Sequence, residues 1–517
     1  MERSRWPSLL LALTAAGWLL LVGAQMACAR GLVANRSTDA VLASAKHKRK
    51  PKPKPKTIPL YVSLEGSAEA PPRVPANFLG LSFEVAALPQ LASFAGGGDL
   101  VTLLRSLGKG VLRFGGVTAD EFVAWKDAQH PRPPWASSTI EAANLEQLGE
   151  LAGESGWNML LTLGFGHFEP QAAAREAAVA KAALGSSLEA MELGNEPNSY
   201  AAHGLRAKPW TFVQYDEQVA EYRGAIEALA PGIPLAGPDV SGSSAYESWG
   251  FGEAIYQRPV MLTGHHYPLG CNGQPGPSIA RLLSPEIREA EERSLRRYVF
   301  VAAQSEVPFR MDETNTVSCG GVPGVSNTFA SALWALGFMT KAMSLGVAGV
   351  NFEGNPMNCL GYTPLCVPTP EAAAAGELRA QPEWYALLLA RSLIGERPLA
   401  ANVVSPEHTN AVVSAFRAPD GALQFVVVDD DVPSDHKLSL ALHVGASYHG
   451  ASVLSLTAPS PEATSGVSLG GQTVAPSGQW TPPARLPHVP NVHGVITVEV
   501  PPSSAALVTV SPLVPAG

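Results

Sequence analysis

The chain has 517 residues, 46% of them hydrophobic, so it exceeds one average domain and has ample material for a large core; two folded parts are expected. Its formal charge of −9 is unevenly spread: residues 1–57 hold 11 Lys+Arg and 2 Asp+Glu, whereas residues 58–517 hold 25 and 43, a net −18. A folded portion that acidic argues against nucleic acid as a partner. At the amino end, Arg3 and Arg5 precede an apolar run from Leu9 to Val22, and Ala27-Cys28-Ala29 forms a small-x-small cleavage site before Arg30. Residues 1–29 therefore read as a signal peptide, the run being short for a bilayer span, and the protein is expected to be secreted or associated with the cell envelope. Residues 30–57 contain Lys46-His47-Lys48-Arg49-Lys50 and then alternating Pro and Lys from Pro51 to Lys56. Proline at every second place prevents helix and sheet while the lysines repel, so this is an extended, solvated linker. It suits contact with an anionic envelope, or the role of a solubilising spacer.

Beyond the linker, short apolar or β-branched runs alternate with Ala/Leu/Glu-rich stretches of helical periodicity. Eight strands are predicted at Phe78 to Glu84, Val111 to Gly115, Asn158 to Gly164, Ala190 to Gly194, Pro234 to Pro238, Val260 to His265, Pro308 to Glu313 and Val347 to Phe352. Helices are clearest at Glu169 to Leu184, Trp210 to Ala230, Pro285 to Ala303 and Ser326 to Leu345, and Trp384 to Leu393 reads as the last. Eight strand-helix repeats over residues 72–393 predict an α/β fold, a parallel (β/α)₈ TIM barrel. The texture then changes to alternating strands with Pro, Gly and Ser turns: Ala411 to Phe416, Leu423 to Asp429, Leu438 to Val444, Val495 to Val500 and Ala505 to Val510. Residues 394–517 read as an appended C-terminal antiparallel β-sandwich, joined by residues 58–71, where Ile58 to Glu65 alternates in the same way.

Past the signal peptide four cysteines remain, Cys271, Cys319, Cys359 and Cys366. An even number in an exported chain suggests two disulfides. Cys359 and Cys366 enclose a loop short enough for a local bridge, which leaves Cys271 for Cys319. No two stand at zinc-knuckle spacing, and nothing calls for a metal, nucleotide or flavin, so no cofactor is expected.

In a (β/α)₈ barrel the carboxyl ends of the strands converge on one open face. Here those ends carry Glu84; Gly115-Gly116 followed by Thr118 and Asp120; Gly164-Phe165-Gly166-His167; Asn195-Glu196; Asp239; His265-His266-Tyr267; Glu313-Thr314-Asn315; and Asn351-Phe352-Glu353. Glu196 and Glu313 end the fourth and seventh strands. Two carboxylates so placed are what acid-base cleavage of a glycosidic bond requires.

Gly194-Asn195-Glu196-Pro197 with Glu313 resembles the acid/base and nucleophile signature of the clan A retaining glycoside hydrolases. Adding Phe78-Leu79-Gly80-Leu81-Ser82-Phe83-Glu84, Leu112-Arg113-Phe114-Gly115-Gly116, His265-His266-Tyr267 and Asp312-Glu313-Thr314-Asn315 with Ser318-Cys319-Gly320-Gly321, residues 58–517 resemble glycoside hydrolase family 79, the β-glucuronidase and heparanase family. The resemblance implies a carbohydrate substrate with terminal or internal β-linked glucuronic acid, cleaved with retention. Exo action on a terminal residue is the reading adopted, by a monomer.

The catalytic roles also follow from the chemistry. Glu196, as acid/base, must donate a proton to the departing glycosidic oxygen and then act as base on water, and Glu313 is the nucleophile. Asn195 is placed to hydrogen-bond the sugar 2-hydroxyl, Tyr267 to donate to Glu313, and Glu84 to accept from two vicinal hydroxyls; Gly116 and His266 complete the substrate-facing set. Ser318, Gly320 and Gly321 lie in a loop whose backbone N–H groups can meet the sugar carboxylate. Relatives often place a tyrosine close to where Cys319 stands. Asp312, alternating with Glu313, is expected to point away from the sugar, and Glu192 to pair with Arg113 or Arg310 inside the barrel. Two rival classes share the main features: a clan A xylosidase or arabinofuranosidase would keep Glu196 and Glu313, and a non-catalytic carbohydrate-binding protein would hold sugar without turnover.

Overall fold

A computed structural model describes residues 56–66 and 71–513. The expected signal peptide and nearly all of the linker lie outside the described residues; Lys56 and Thr57, its last two positions, already belong to a strand running Lys56–Leu64.

The barrel strands are Leu79–Glu84, Val111–Gly115, Asn158–Leu163, Leu188–Leu193, Ala236–Ser241, Met261–His266, Phe309–Thr314 and Gly349–Glu353. Each pairs in parallel with its neighbour in chain order, and the eighth returns to the first through Val350 and Leu79. The ring closes between the fourth and fifth strands, where Met191 N donates to Pro234 O at 2.9 Å. The strands read as near-continuous apolar runs because both faces are covered, one by the barrel interior and one by helices. Helix Pro285–Ser305 shows the complementary pattern: Ser284 caps it by accepting from Ile287 N, and it buries Glu291, Leu295, Tyr298, Val301 and Ala302 at helical spacing. Helix Phe329–Leu345 is apolar nearly all round and is buried accordingly, its first turn held to the C-terminal domain by Phe329 N to Ala463 O and Ala330 N to Pro461 O. No described helix is long and apolar enough to cross a membrane.

The C-terminal domain is a two-sheet sandwich. One sheet orders Ala401–Val404, Lys56–Leu64, His436–His443 and Val495–Val500; the other is built on Ala411–Arg417, Leu423–Asp429, Ala505–Pro512 and Tyr448–Thr457. Between the sheets, Ile58, Leu60, Val62, Phe425, Val427, Leu438, Leu440, Val498 and Val508 form a core of their own. One pairing departs from the expected antiparallel sandwich: Lys56–Leu64 runs parallel to His436–His443, with Ile58 opposite Leu438 and Val62 opposite Leu442. The strand enters from the amino end, before the barrel, so no hairpin constrains its direction.

Parallel closure sends every barrel strand's carboxyl end to one face. Two excursions build that face up: a small parallel pair, Val123–Trp125 with Ser138–Ile140, after the second strand, and residues 354–381 after the eighth, closed by the Cys359–Cys366 disulfide.

Candidate active site

Arg113, the middle residue of the second strand, organises the site from below. Its Nε donates to Glu192 Oε2 at 3.0 Å and stands 3.1 Å from Asp312 Oδ2; Nη1 donates to Glu313 Oε2 at 2.8 Å and Ser82 Oγ at 3.1 Å; Nη2 donates to Asn195 Oδ1 and Asp239 Oδ2, both at 2.9 Å. The side chain is fully buried. Burial alone would lower its pKa, but Asp239, Asp312, Glu192 and Glu313 raise it well above the ordinary value, so the guanidinium stays charged. Removing one partner from such a buried cluster costs about 3–5 kcal/mol. Arg310, the other expected partner of Glu192, instead donates to Asn351 Oδ1 at 2.6 Å and Asn77 O at 3.0 Å.

Glu196 ends the fourth strand with φ 50° and ψ 49°, a left-handed backbone that costs a non-glycine residue about 1 kcal/mol. Glu196 N donates to Asp239 O at 2.9 Å, and Ser199 N donates back to Glu196 O at 2.8 Å. Gly194, two residues earlier, has φ 78°, and a Cβ there would strike the Tyr200 hydroxyl. The Glu196 carboxyl reaches His265, whose Nδ1 lies 3.0 Å from Oε1, while His265 Nε2 lies 2.5 Å from Asp239 Oδ1. Burial would lower the His265 pKa, yet Asp239, Glu313 and Asp312 raise it well above its usual value. That shift favours the protonated ring, which in this position can donate to Glu196 and to Asp239. Asp239 is held well below the usual carboxylate range, Arg113 and His265 outweighing the cost of burial.

Glu313, near the end of the seventh strand, places Oε1 2.9 Å from the donating Tyr267 hydroxyl and Oε2 on Arg113. An oxygen of Glu196, a nitrogen of His265 and an oxygen of Glu313 all lie within 4.8 Å of one another. One oxygen of each glutamate thus comes within 4.8 Å of the other, an approach that suits direct nucleophilic attack by one carboxylate beside an acid/base partner. Tyr362, from the excursion after the eighth strand, lies with its hydroxyl 3.3 Å from that of Tyr267.

Asn195 Oδ1 accepts from Arg113 and from Gly116 N, at 3.1 Å, which turns the amide so that its nitrogen has no protein acceptor among the described residues. Gly116 has φ 74°, and a Cβ there would run into the Glu84 carboxylate, so the second strand's end must be glycine for Glu84 to sit across it. Glu84 Oε2 accepts from Thr118 N at 2.9 Å and Thr118 Oγ1 at 2.6 Å, while Oε1 takes no protein donor among the described residues. Burial raises the pKa of Glu84 and lifts that of Glu353 well above normal, limiting the negative charge accumulated around Glu313.

The loop after Glu313 is bound to the loop after the sixth strand. Cys271 and Cys319 form a disulfide, Ser318 N donates to Leu269 O at 3.0 Å, and Cys271 N donates to Ser318 Oγ at 3.2 Å. Ser318 thus spends its hydroxyl on the loop itself. Cys319, Gly320 and Gly321 all have positive φ, and Gly320 O accepts from Tyr362 N at 3.1 Å.

Two expectations are corrected. His266 does not face the cleft: its ring stacks on Phe338 at 6.1 Å and its Nε2 lies 3.8 Å from Glu291 Oε1, on the helix side of the barrel. Side chains alternate along a strand and His265 takes the inward place. Burial pushes the His266 pKa down to about 4, so this ring is neutral. Asp312 does not point away from Glu313's surroundings, because the register slips between Met311 and Glu313 against the neighbouring sixth strand. The bulge lets Asp312 and Glu313 both touch Arg113, and Asp312 Oδ1 also accepts from Gly264 N at 2.7 Å. The sequence placed Asp239 and His265 at strand ends on the open face without a role and gave Arg113 only a pairing with Glu192, which the structure shows; Tyr362, in an aperiodic loop, offered no signal.

Three sets of carboxylates and imidazoles are close enough to share an ion: Glu196, His265 and Glu313; Asp239, His265 and Asp312; and Asp429, Asp431 and His436. In the first two, Arg113 and the imidazolium of His265 already supply positive charge. In the third, the aspartates accept from Ser503 N, Ser434 Oγ, Thr409 Oγ1 and Asn410 N.

A closed parallel (β/α)₈ barrel with an appended β-sandwich is a fold this chain shares with solved glycosidases. A 4-O-α-L-rhamnosyl-β-D-glucuronidase from Fusarium oxysporum 12S, solved with Rha-GlcA, superposes with a TM-score of 0.71 at 18% identity over 87% of this chain and 100% of that one. The GH51 arabinofuranosidase of Xanthomonas axonopodis pv. citri gives 0.61 at 14% identity, over 88% and 100%. Residues 418–507 match the glycosyl hydrolase family 79 C-terminal beta domain. A beta-glucuronidase of Aspergillus niger is 26% identical over 205 residues, 36% of this chain and 38% of that protein; one of Neurospora crassa is 27% identical over 194 residues, 34% of each. The matched stretch thus spans little more than a third of the length of these curated relatives. The chain shares the family 79 C-terminal beta domain over residues 418–507 and is similar to beta-glucuronidases over about a third of its length.

Proposed function

We propose that this protein is a retaining β-glucuronidase acting from the chain end of glucuronic-acid-bearing oligo- or polysaccharides. The observation that carries the reading is the close approach of Glu196 and Glu313, with Tyr267 and Arg113 fixing both oxygens of Glu313. Glu313 attacks the anomeric carbon while Glu196 gives its proton to the departing oxygen; Glu196 then takes a proton from water, which releases the sugar. Asn195, its oxygen anchored, presents N–H to the 2-hydroxyl, a contact that strengthens as positive charge develops on the ring. Glu84 Oε1 accepts from ring hydroxyls.

The substrate class is supported by the relatives and by the loop after Glu313. Among the described residues, the successive N–H groups of Cys319, Gly320 and Gly321 take no protein acceptor, and the Tyr362 hydroxyl stands beside Tyr267 at the same end of the cleft. Local donors of this kind suit an acidic sugar, since a net charge of −18 over residues 58–517 gives no long-range attraction. Secretion, action as a monomer and contact of the basic linker with an anionic envelope complete the reading.

Proton NMR of the first-formed sugar from 4-nitrophenyl β-D-glucuronide tests it. The β-anomer is expected. Release of the α-anomer, or preference for a xyloside or arabinofuranoside in a nitrophenyl panel, would overturn the proposal.

A further inference from the structure

Asp120 lies on the short helix Val117–Glu121 that follows the second strand, and its carboxylate accepts four hydrogen bonds in two pairs. Oδ1 takes the N–H groups of Phe165 and Gly166, each at 2.8 Å; Oδ2 takes Asn195 N at 2.8 Å and the Tyr200 hydroxyl at 2.6 Å. The residue is 2% exposed. One buried carboxylate thus joins the end of the third strand, the end of the fourth and the loop beyond it. Between its contacts at Asn195 and Tyr200 lies the left-handed turn at Glu196. Asn195's side chain is anchored independently, on Arg113 and Gly116. What Asp120 holds is therefore the backbone entering Glu196.

We propose that Asp120 is a positioning residue for Glu196, clamping the left-handed turn so that the acid/base carboxyl stands at the leaving-group oxygen. This rests on the reading of Glu196 as acid/base given above. Asp120→Asn isolates the effect. An amide accepts at one oxygen only; facing that oxygen to Phe165 and Gly166 keeps two bonds, whereas the reverse leaves both those N–H groups against an amide donor. In the favoured orientation the amide NH₂ meets Asn195 N–H donor to donor. Tyr200 can turn its hydroxyl to accept, but the Asn195 N–H cannot adapt, so the perturbation falls on the turn.

The test compares kcat/KM of the full chain on methyl β-D-glucuronide, whose leaving group needs a proton, and on 4-nitrophenyl β-D-glucuronide, whose leaving group barely does. Asp120→Asn should lose about 100-fold on the first and under about 10-fold on the second, in the range general acid catalysis supplies. Tyr200→Phe should show a smaller loss with the same leaving-group dependence, and it carries the test alone if Asp120→Asn does not fold. Equal loss on both substrates, the mark of a merely structural role, or no loss at all overturns the positioning role. A wild-type chain that turns over neither glucuronide overturns the functional reading instead, which keeps the two failures distinct.

Discussion

His265 joins Glu196 to Asp239: its Nδ1 lies 3.0 Å from Oε1 of the first and its Nε2 2.5 Å from Oδ1 of the second. A charged ring in that place fixes the Glu196 side chain and compensates the buried carboxylate of Asp239. His265→Gln, which keeps hydrogen-bonding capacity but no charge, should therefore lower both turnover and stability. A fall in kcat of about 10²-fold, with a stability loss of about 3 kcal/mol in denaturant titration, is expected. Turnover unchanged by the substitution would contradict the role given to the ring.

The two glutamates should separate kinetically. Glu313→Gln should abolish turnover on every substrate, because no covalent intermediate can form. Glu196→Gln should spare substrates with good leaving groups and recover with added azide, giving a β-glycosyl azide. Steady-state kinetics on a leaving-group series, with product analysis, checks both; full activity of Glu196→Gln on alkyl glucuronides would reverse the assignment.

The Cys271–Cys319 disulfide holds the loop proposed above to receive the substrate's carboxylate, alongside the backbone bond from Ser318 N to Leu269 O. That bond persists without the disulfide, so Cys319→Ser should loosen the loop without unfolding it. We expect KM for glucuronides to rise about tenfold while Tm falls by only a few degrees. A Tm loss with unchanged KM would make the bridge purely structural.

Burial pushes the carboxyls of Glu253, Glu291 and Glu383 up to about 8 and that of Asp430 to about 7. Each keeps its proton in the folded chain through a window where the unfolded chain, with carboxyl pKa values near 4, has released it. The stability they contribute is fully present below about pH 4 and is lost as pH rises toward about 8. His265, also raised, adds a loss of the same sign above about pH 6.5. Calorimetry should therefore give a higher Tm at pH 5 than at pH 8, and Glu253→Gln should narrow the difference. A Tm that climbs between pH 5 and 8 would refute this.

Strand and helix periodicity is local, so the eight barrel strands, the main helices and the strand-rich C-terminal domain were legible within a few residues of their observed bounds. The same local signal put Glu196 and Glu313 at strand ends, and two pairs of cysteines left little choice of partner. What needed the tertiary structure was phase and distance. Alternation shows that His265 and His266 face opposite ways, but which of them faces inward depends on register against the fifth and seventh strands. The inward turn of Asp312 depends on a bulge that exists only between paired strands. The parallel pairing of Lys56–Leu64 joins residues about 380 positions apart in the chain, beyond the reach of any window of pattern. Tyr362 and the four-way grip of Asp120 come from aperiodic segments, whose side chains acquire meaning only once folding brings remote backbone donors and acceptors within hydrogen-bonding distance.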